Sequence, residues 1–206
     1  MEIQRKKLPQ PPRNKFRIGL IIVLVVAGLI FLGLSRFNPL PNVVSTYIVP
    51  KTTEDYPDVD LTKLSPQQQD IIRITKQEFK DQPKGTKYSE GTEEAWCADF
   101  VSWVMNEVHA PYKNPHSGSW RIPGTFTLRE YYESIGTFRA ADSGYEPKIG
   151  DTMLYDNPSP FGQHVNIIIK VDNGIVTTIG GNEPGGIRVI THEKTEKPGF
   201  IGYGSL

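Results

Sequence analysis

His164 to Asn182 reads HVNIIIKVDNGIVTTIGGN, two runs rich in β-branched residues with Asp-Asn-Gly between them. A type I′ turn needs positive φ at both central positions, which Asn and Gly tolerate. The stretch therefore predicts a β-hairpin turning at Asn173 and Gly174. Similar short runs lie on either side: TMLY at 152–155, GIRVITHE at 186–193 and FIGYG at 200–204. Ahead of Pro147 the period changes. SPQQ at 65–68 is a capping box with proline in the first helical position, and Ile71, Ile72, Thr75 and Phe79 give the following helix an apolar side as far as Pro83. Trp96, Phe100, Val104 and Val108 recur at every fourth residue, with Val101 and Met105 beside them, which predicts a second helix. A third is expected from Thr127, boxed with Glu130, to Gly136. Helices first and a strand meander after them predict an α+β domain, with the helices packed on an antiparallel sheet.

The N-terminus has another character. Ile18 to Leu34 contains no charge and no proline. As a helix at ~1.5 Å per residue it is roughly 26 Å long, close to the ~30 Å core of a bilayer. Residues 18–36 are accordingly read as one transmembrane signal anchor. The apolar run is longer than that of a cleaved leader, and GLS at 33–35 is a poor cleavage site. Arg5, Lys6, Lys7, Arg13, Lys15 and Arg17 precede it against the single acid Glu2, so residues 1–17 are expected in the cytoplasm and the remainder outside, on a single-pass membrane protein. Residues 37–64, with Pro39, Pro41, Pro50, Pro57 and the acids Asp55, Asp58 and Asp60 but no period, are read as an extended stalk. Residues 65–206 suffice for one domain. The basic excess is confined to residues 1–36, and the exported part is net acidic, which argues against nucleic-acid binding.

Within that domain cysteine occurs once, in EEAWCADFVSWVMNEV at 93–108. A lone helical cysteine is ordinarily a small buried hydrophobe. Cys97, however, falls at the start of its helix, where the dipole favours a thiolate. A base is at hand in His164. With the hairpin in strict register, His164 faces Glu183. A one-residue shift in one sense puts Asn182 opposite it, and in the other sense makes Asn182 its same-face diagonal neighbour. A nucleophile, a base and a polar group that orients the base make up the triad pattern.

The ordered blocks WCADFVSWV, PKIGD, HVNIII and TTIGGN, at 96–104, 147–151, 164–169 and 177–182, resemble the CHAP family. These are the cysteine, histidine-dependent amidohydrolases/peptidases of bacterial cell-wall turnover. The resemblance covers roughly residues 65–206 and implies a papain-like fold. It makes Cys97 the nucleophile, His164 the general base and Asn182 the residue that orients the histidine. One block departs from the pattern: many relatives carry an acid where this chain has Gly180. That leaves the third role to Asn182, with Glu183 as a substitute. The implied function is a membrane-anchored peptidoglycan hydrolase cleaving an amide or peptide bond of wall stem peptides. The competing reading, fed by Gly180, is a non-catalytic module that binds wall peptide or an envelope partner. Acyl transfer by the same thiol is a third.

Such chemistry needs oxyanion donors. The Cys97 backbone N–H is the first expected, and the Tyr88 hydroxyl is a candidate second. In the loop HSGSWRIPG at 116–124, Trp120 and Arg121 are candidates for holding a stem-peptide carboxylate. His109, His116 and His192 stand in no HExxH spacing and have no cysteine pair, so no metal and no cofactor are expected. Asp151, after Gly150, is read as structural.

Overall fold

The structure, a computed structural model, describes residues 51–53, 55–157, 162–194 and 198–206. These residues lie in one compact unit, 49–206. Its elements are β1 (Lys51–Thr53), α1 (Pro66–Asp81), α2 (Cys97–Glu107), α3 (Thr125–Ser134), β2 (Phe138–Ala140), β3 (Thr152–Tyr155), β4 (His164–Asp172), β5 (Ile175–Glu183), β6 (Gly186–Glu193) and β7 (Phe200–Gly204). The strands form one sheet in the order β1-β6-β5-β4-β3-β7-β2, and every neighbouring pair is antiparallel. This is the α+β arrangement expected from the meander.

The capping box at the head of α1 is made in both directions: Gln68 N–H donates to Ser65 Oγ at 3.3 Å, and Ser65 N–H to Gln68 Oε1 at 3.0 Å. Ile71, Ile72 and Thr75 form the buried side of α1, and Phe100, Val101, Val104 and Met105 that of α2. α2 lies across β4 and β5. Val165, Ile167 and Ile169 of β4 join the helices in the main core, while the alternate Ile168 packs with Met153, Tyr155, Val176 and Tyr203 in a smaller cluster. Burial on both faces is why this strand reads as a continuous apolar run rather than an alternating one. The hairpin turns where expected, with φ of 47° at Asn173 and 82° at Gly174.

Two expectations are corrected. α3 starts at Thr125 rather than after a cap at Thr127; its N-cap is Gly124, and no side chain caps it. The stretch expected as stalk is part of the folded unit from residue 51 onward. β1 pairs along β6, and Tyr56, Val59, Leu61 and Leu64 pack against the main core. The Tyr56 hydroxyl lies 2.7 Å from Thr75 Oγ1 and 3.2 Å from the Ile72 carbonyl on α1. No period marks this segment because its apolar side chains dock one at a time from irregular chain. The expected cytoplasmic tail, membrane span and first part of the stalk lie outside the described residues. Among the described residues no helix is long and apolar enough to cross a membrane.

Candidate active site

The first turn of α2 is held against β5 by stacked rings. Trp96, the N-cap residue, stacks on Tyr88 with ring centroids 5.3 Å apart. The Tyr88 hydroxyl donates to Glu78 Oε2 at 2.6 Å, and the Lys87 ammonium donates to the same carboxylate at 2.6 Å. Gly181 of β5 lies against this stack; a Cβ there would come within 3 Å of both Trp96 and Phe100. Only glycine allows the helix so close. Tyr88 is therefore a buried pillar whose hydroxyl is spent on Glu78, and the expectation that it donates to an oxyanion is overturned.

This clamp delivers Cys97 to the start of β4. Cys97, His164 and Glu183 are all buried, at 5%, 4% and 6% exposure. His164 Nε2 lies 2.8 Å from Glu183 Oε1, and the ring is hydrogen-bonded to the Cys97 thiol. With Nε2 on Glu183, the nitrogen that serves the thiol is Nδ1. Two more groups reach the sulfur: Thr125 Oγ1 at 3.9 Å and the Val165 backbone N–H. Burial alone would push the thiol up. The His164 hydrogen bond and charge, with smaller help from Thr125 and Val165, reverse this and leave Cys97 below its ordinary value. Burial likewise pushes His164 down, but the bonds to Cys97 and Glu183 and their charges outweigh it and raise the imidazole to about 9. The pair therefore favours thiolate and imidazolium.

Glu183 reaches the histidine because the strands are irregular twice. β4 and β5 keep strict register from Asp172↔Ile175 to Lys170↔Thr177, then shift by one residue to Ile168↔Thr178. Carried on unchanged, that shift would place Asn182 opposite His164. A second irregularity, between Gly180 and Glu183 with Asn182 at φ 58°, turns the chain again. Asn182 is left exposed and Glu183 is turned inward. Of the two orienting candidates, the structure brings Glu183 to the histidine, while Asn182 is exposed.

Residues 87–182 match the family model of the CHAP domain. The match bears out the resemblance read from the sequence. It ends at Asn182, one residue short of the carboxylate that meets His164. No curated protein and no solved structure matches the chain.

The remaining candidates of the CHAP segment sit elsewhere. Arg121 is ion-paired through Nε to the fully buried Asp99 at 2.7 Å, and through its other end to Glu94. Its guanidinium ties the 114–121 loop to the head of α2 and is not free for a substrate carboxylate. Trp120 is half-buried beside it. Asp151 is structural in the sense expected: one oxygen accepts from Lys148 N–H and the Tyr145 hydroxyl, and the other from Leu206 N–H. His116 pairs with Glu130 at the surface, 2.8 Å away. Two residues escaped the sequence reading. Thr125 is 28 residues from Cys97 and precedes the helix start that the sequence predicts at Thr127. Asn166, inside an apolar run, carried no signal beyond its polarity.

Proposed function

We propose that the chain is a thiol hydrolase of peptidoglycan peptides, working through Cys97, His164 and Glu183. The CHAP match supports a peptidoglycan hydrolase or amidase at the level of family. The observation that carries the finer reading is the buried Cys97–His164–Glu183 chain with its thiolate-favouring electrostatics. Cys97 Sγ attacks the carbonyl carbon of a wall amide or peptide bond. The oxyanion meets the Cys97 backbone N–H, one of the first-turn donors that a helix leaves unpaired. His164 gives its Nδ1 proton to the leaving nitrogen as the C–N bond breaks, leaving a thioester on Cys97. The histidine then takes a proton from water, which attacks the thioester and frees the acid and the thiol. Glu183 holds the ring in register and stabilises its positive form. Gly180 in place of an acid feeds the non-catalytic reading, and the carboxylate of Glu183 beside His164 weighs against it. Residues 18–36 anchor this domain outside the cytoplasmic membrane.

Digestion of purified sacculi by the full chain in detergent, with fragments identified by mass spectrometry, tests the activity. Release of stem-peptide fragments that stops in Cys97→Ser is the expected result. Stem peptide bound intact beside active-thiol protein would instead favour the binding module. For the anchor, protease added to spheroplasts should remove the folded unit, and its protection would refute the orientation.

A further inference from the structure

Asn166 is 1% exposed, and neither its Oδ1 nor its Nδ2 has a hydrogen-bond partner among the described residues. A buried amide left wholly unsatisfied destabilises a fold, and an apolar side chain of the same shape would not. Its position gives it a use. Asn166 lies two residues along β4 from His164, so the two side chains share a face. Across from it, Gly180 of β5 leaves a space that the amide enters: a Cβ on Gly180 would collide with Asn166 Oδ1, and Glu183 Oε1 lies 3.1 Å from the same point. The Asn166 amide and the Glu183 carboxylate thus converge on the gap that Gly180 opens. A half-turn of the amide exchanges its oxygen and nitrogen without moving anything else, and the nitrogen is the end that a carboxylate attracts.

The geometry points to Asn166 as a positioning residue that donates from Nδ2 to Glu183, extending the chain to Asn166–Glu183–His164–Cys97. Glu183 comes from an irregular strand end beside an exposed Asn182, so a second anchor on its carboxylate is what fixes it. The inference deepens the triad proposed above and rests on it. Gly180 and Asn166 then belong together, the one giving the room that the other fills.

The test uses the full chain and the alkylation of Cys97 by iodoacetamide below neutral pH, with the ultraviolet absorbance of the thiolate recorded beside it. Neither readout depends on which wall bond is cut. Asn166→Leu keeps the volume and removes both polar atoms. It should slow alkylation by roughly tenfold, the size of one hydrogen bond to a charged group, and lower the thiolate absorbance, while the melting temperature holds or rises. In a Glu183→Met background the same substitution should change the rate little, because the acceptor is already gone. Asn166→Asp, which replaces the donor with a second carboxylate, should be slower than the Leu variant. An Asn166→Leu protein that alkylates like wild type overturns the inference. So do rate and melting temperature that fall together and add to the Glu183→Met effect, which would mark a packing residue. A wild-type thiol that is inert below neutral pH would overturn the hydrolase reading itself, a separate result.

Discussion

Glu183 and Asn182 are adjacent in sequence and opposite in environment, one 6% exposed on the histidine and the other turned to solvent. Their variants should differ accordingly. Glu183→Gln keeps the shape but removes the charge that holds the imidazolium, and kcat/KM on a stem-peptide substrate should fall by about 10- to 100-fold. Asn182→Gly preserves the positive φ and should stay within about twofold of wild type. The titration of His164 gives a second measurement. Its proton is bound more tightly in the folded state, so its contribution to stability is full below the ordinary imidazole value of 6.5 and is lost as pH rises through about 9. The loss of melting temperature caused by His164→Gln should be largest at the acid end of that window and shrink toward its alkaline end. Cys97 has the opposite sign: its lowered value contributes above the ordinary thiol range and is lost as pH falls through the folded value.

At the scale of elements, most of the framework was legible and the last link of the site was not. The capping box, the four-residue period of α2 and the Asn-Gly turn are local signals, and each is realised where it was read. Cys97 and His164 follow from the helix start and the strand start. The choice between Asn182 and Glu183 depended on register, which a side-chain pattern with both faces buried cannot set. It was decided by two irregularities, one between Ile168 and Lys170 and one between Gly180 and Glu183, the second beside the close packing at Gly180 and Gly181. β1 and β2 are three residues each and offer no pattern long enough to read. The loop at 116–124 is expected from its sequence to hold a substrate carboxylate through Trp120 and Arg121, because surface loops often carry binding residues. In the fold Arg121 is a strap on α2. Arg121→Met would leave the carboxylate of Asp99 buried without a counter-charge and should cost about 3 kcal/mol, seen as a lower urea midpoint with an unchanged slope.

For the folded unit as a whole, the segment ahead of α1 decides where a working fragment must begin. Tyr56, Val59, Leu61 and Leu64 are partly buried against the main core, and β1 covers the outer edge of β6. At about 1 kcal/mol for each half-buried side chain, removing them costs on the order of 4 kcal/mol, a large share of the 5–15 kcal/mol that holds a typical domain together. A fragment of residues 49–206 should melt cooperatively. A fragment of residues 65–206 should melt markedly lower and, with β6 exposed as an edge, aggregate more readily. Equal melting temperatures would show that this segment only rests on the surface.

The single thiol of the chain lies almost out of sight of solvent, with its imidazole and carboxylate equally sunk. With one cysteine in the chain, a sulfenic acid formed there by an oxidant has no partner within the molecule to trap it as a disulfide, and an added thiol is what returns the sulfur to its starting form.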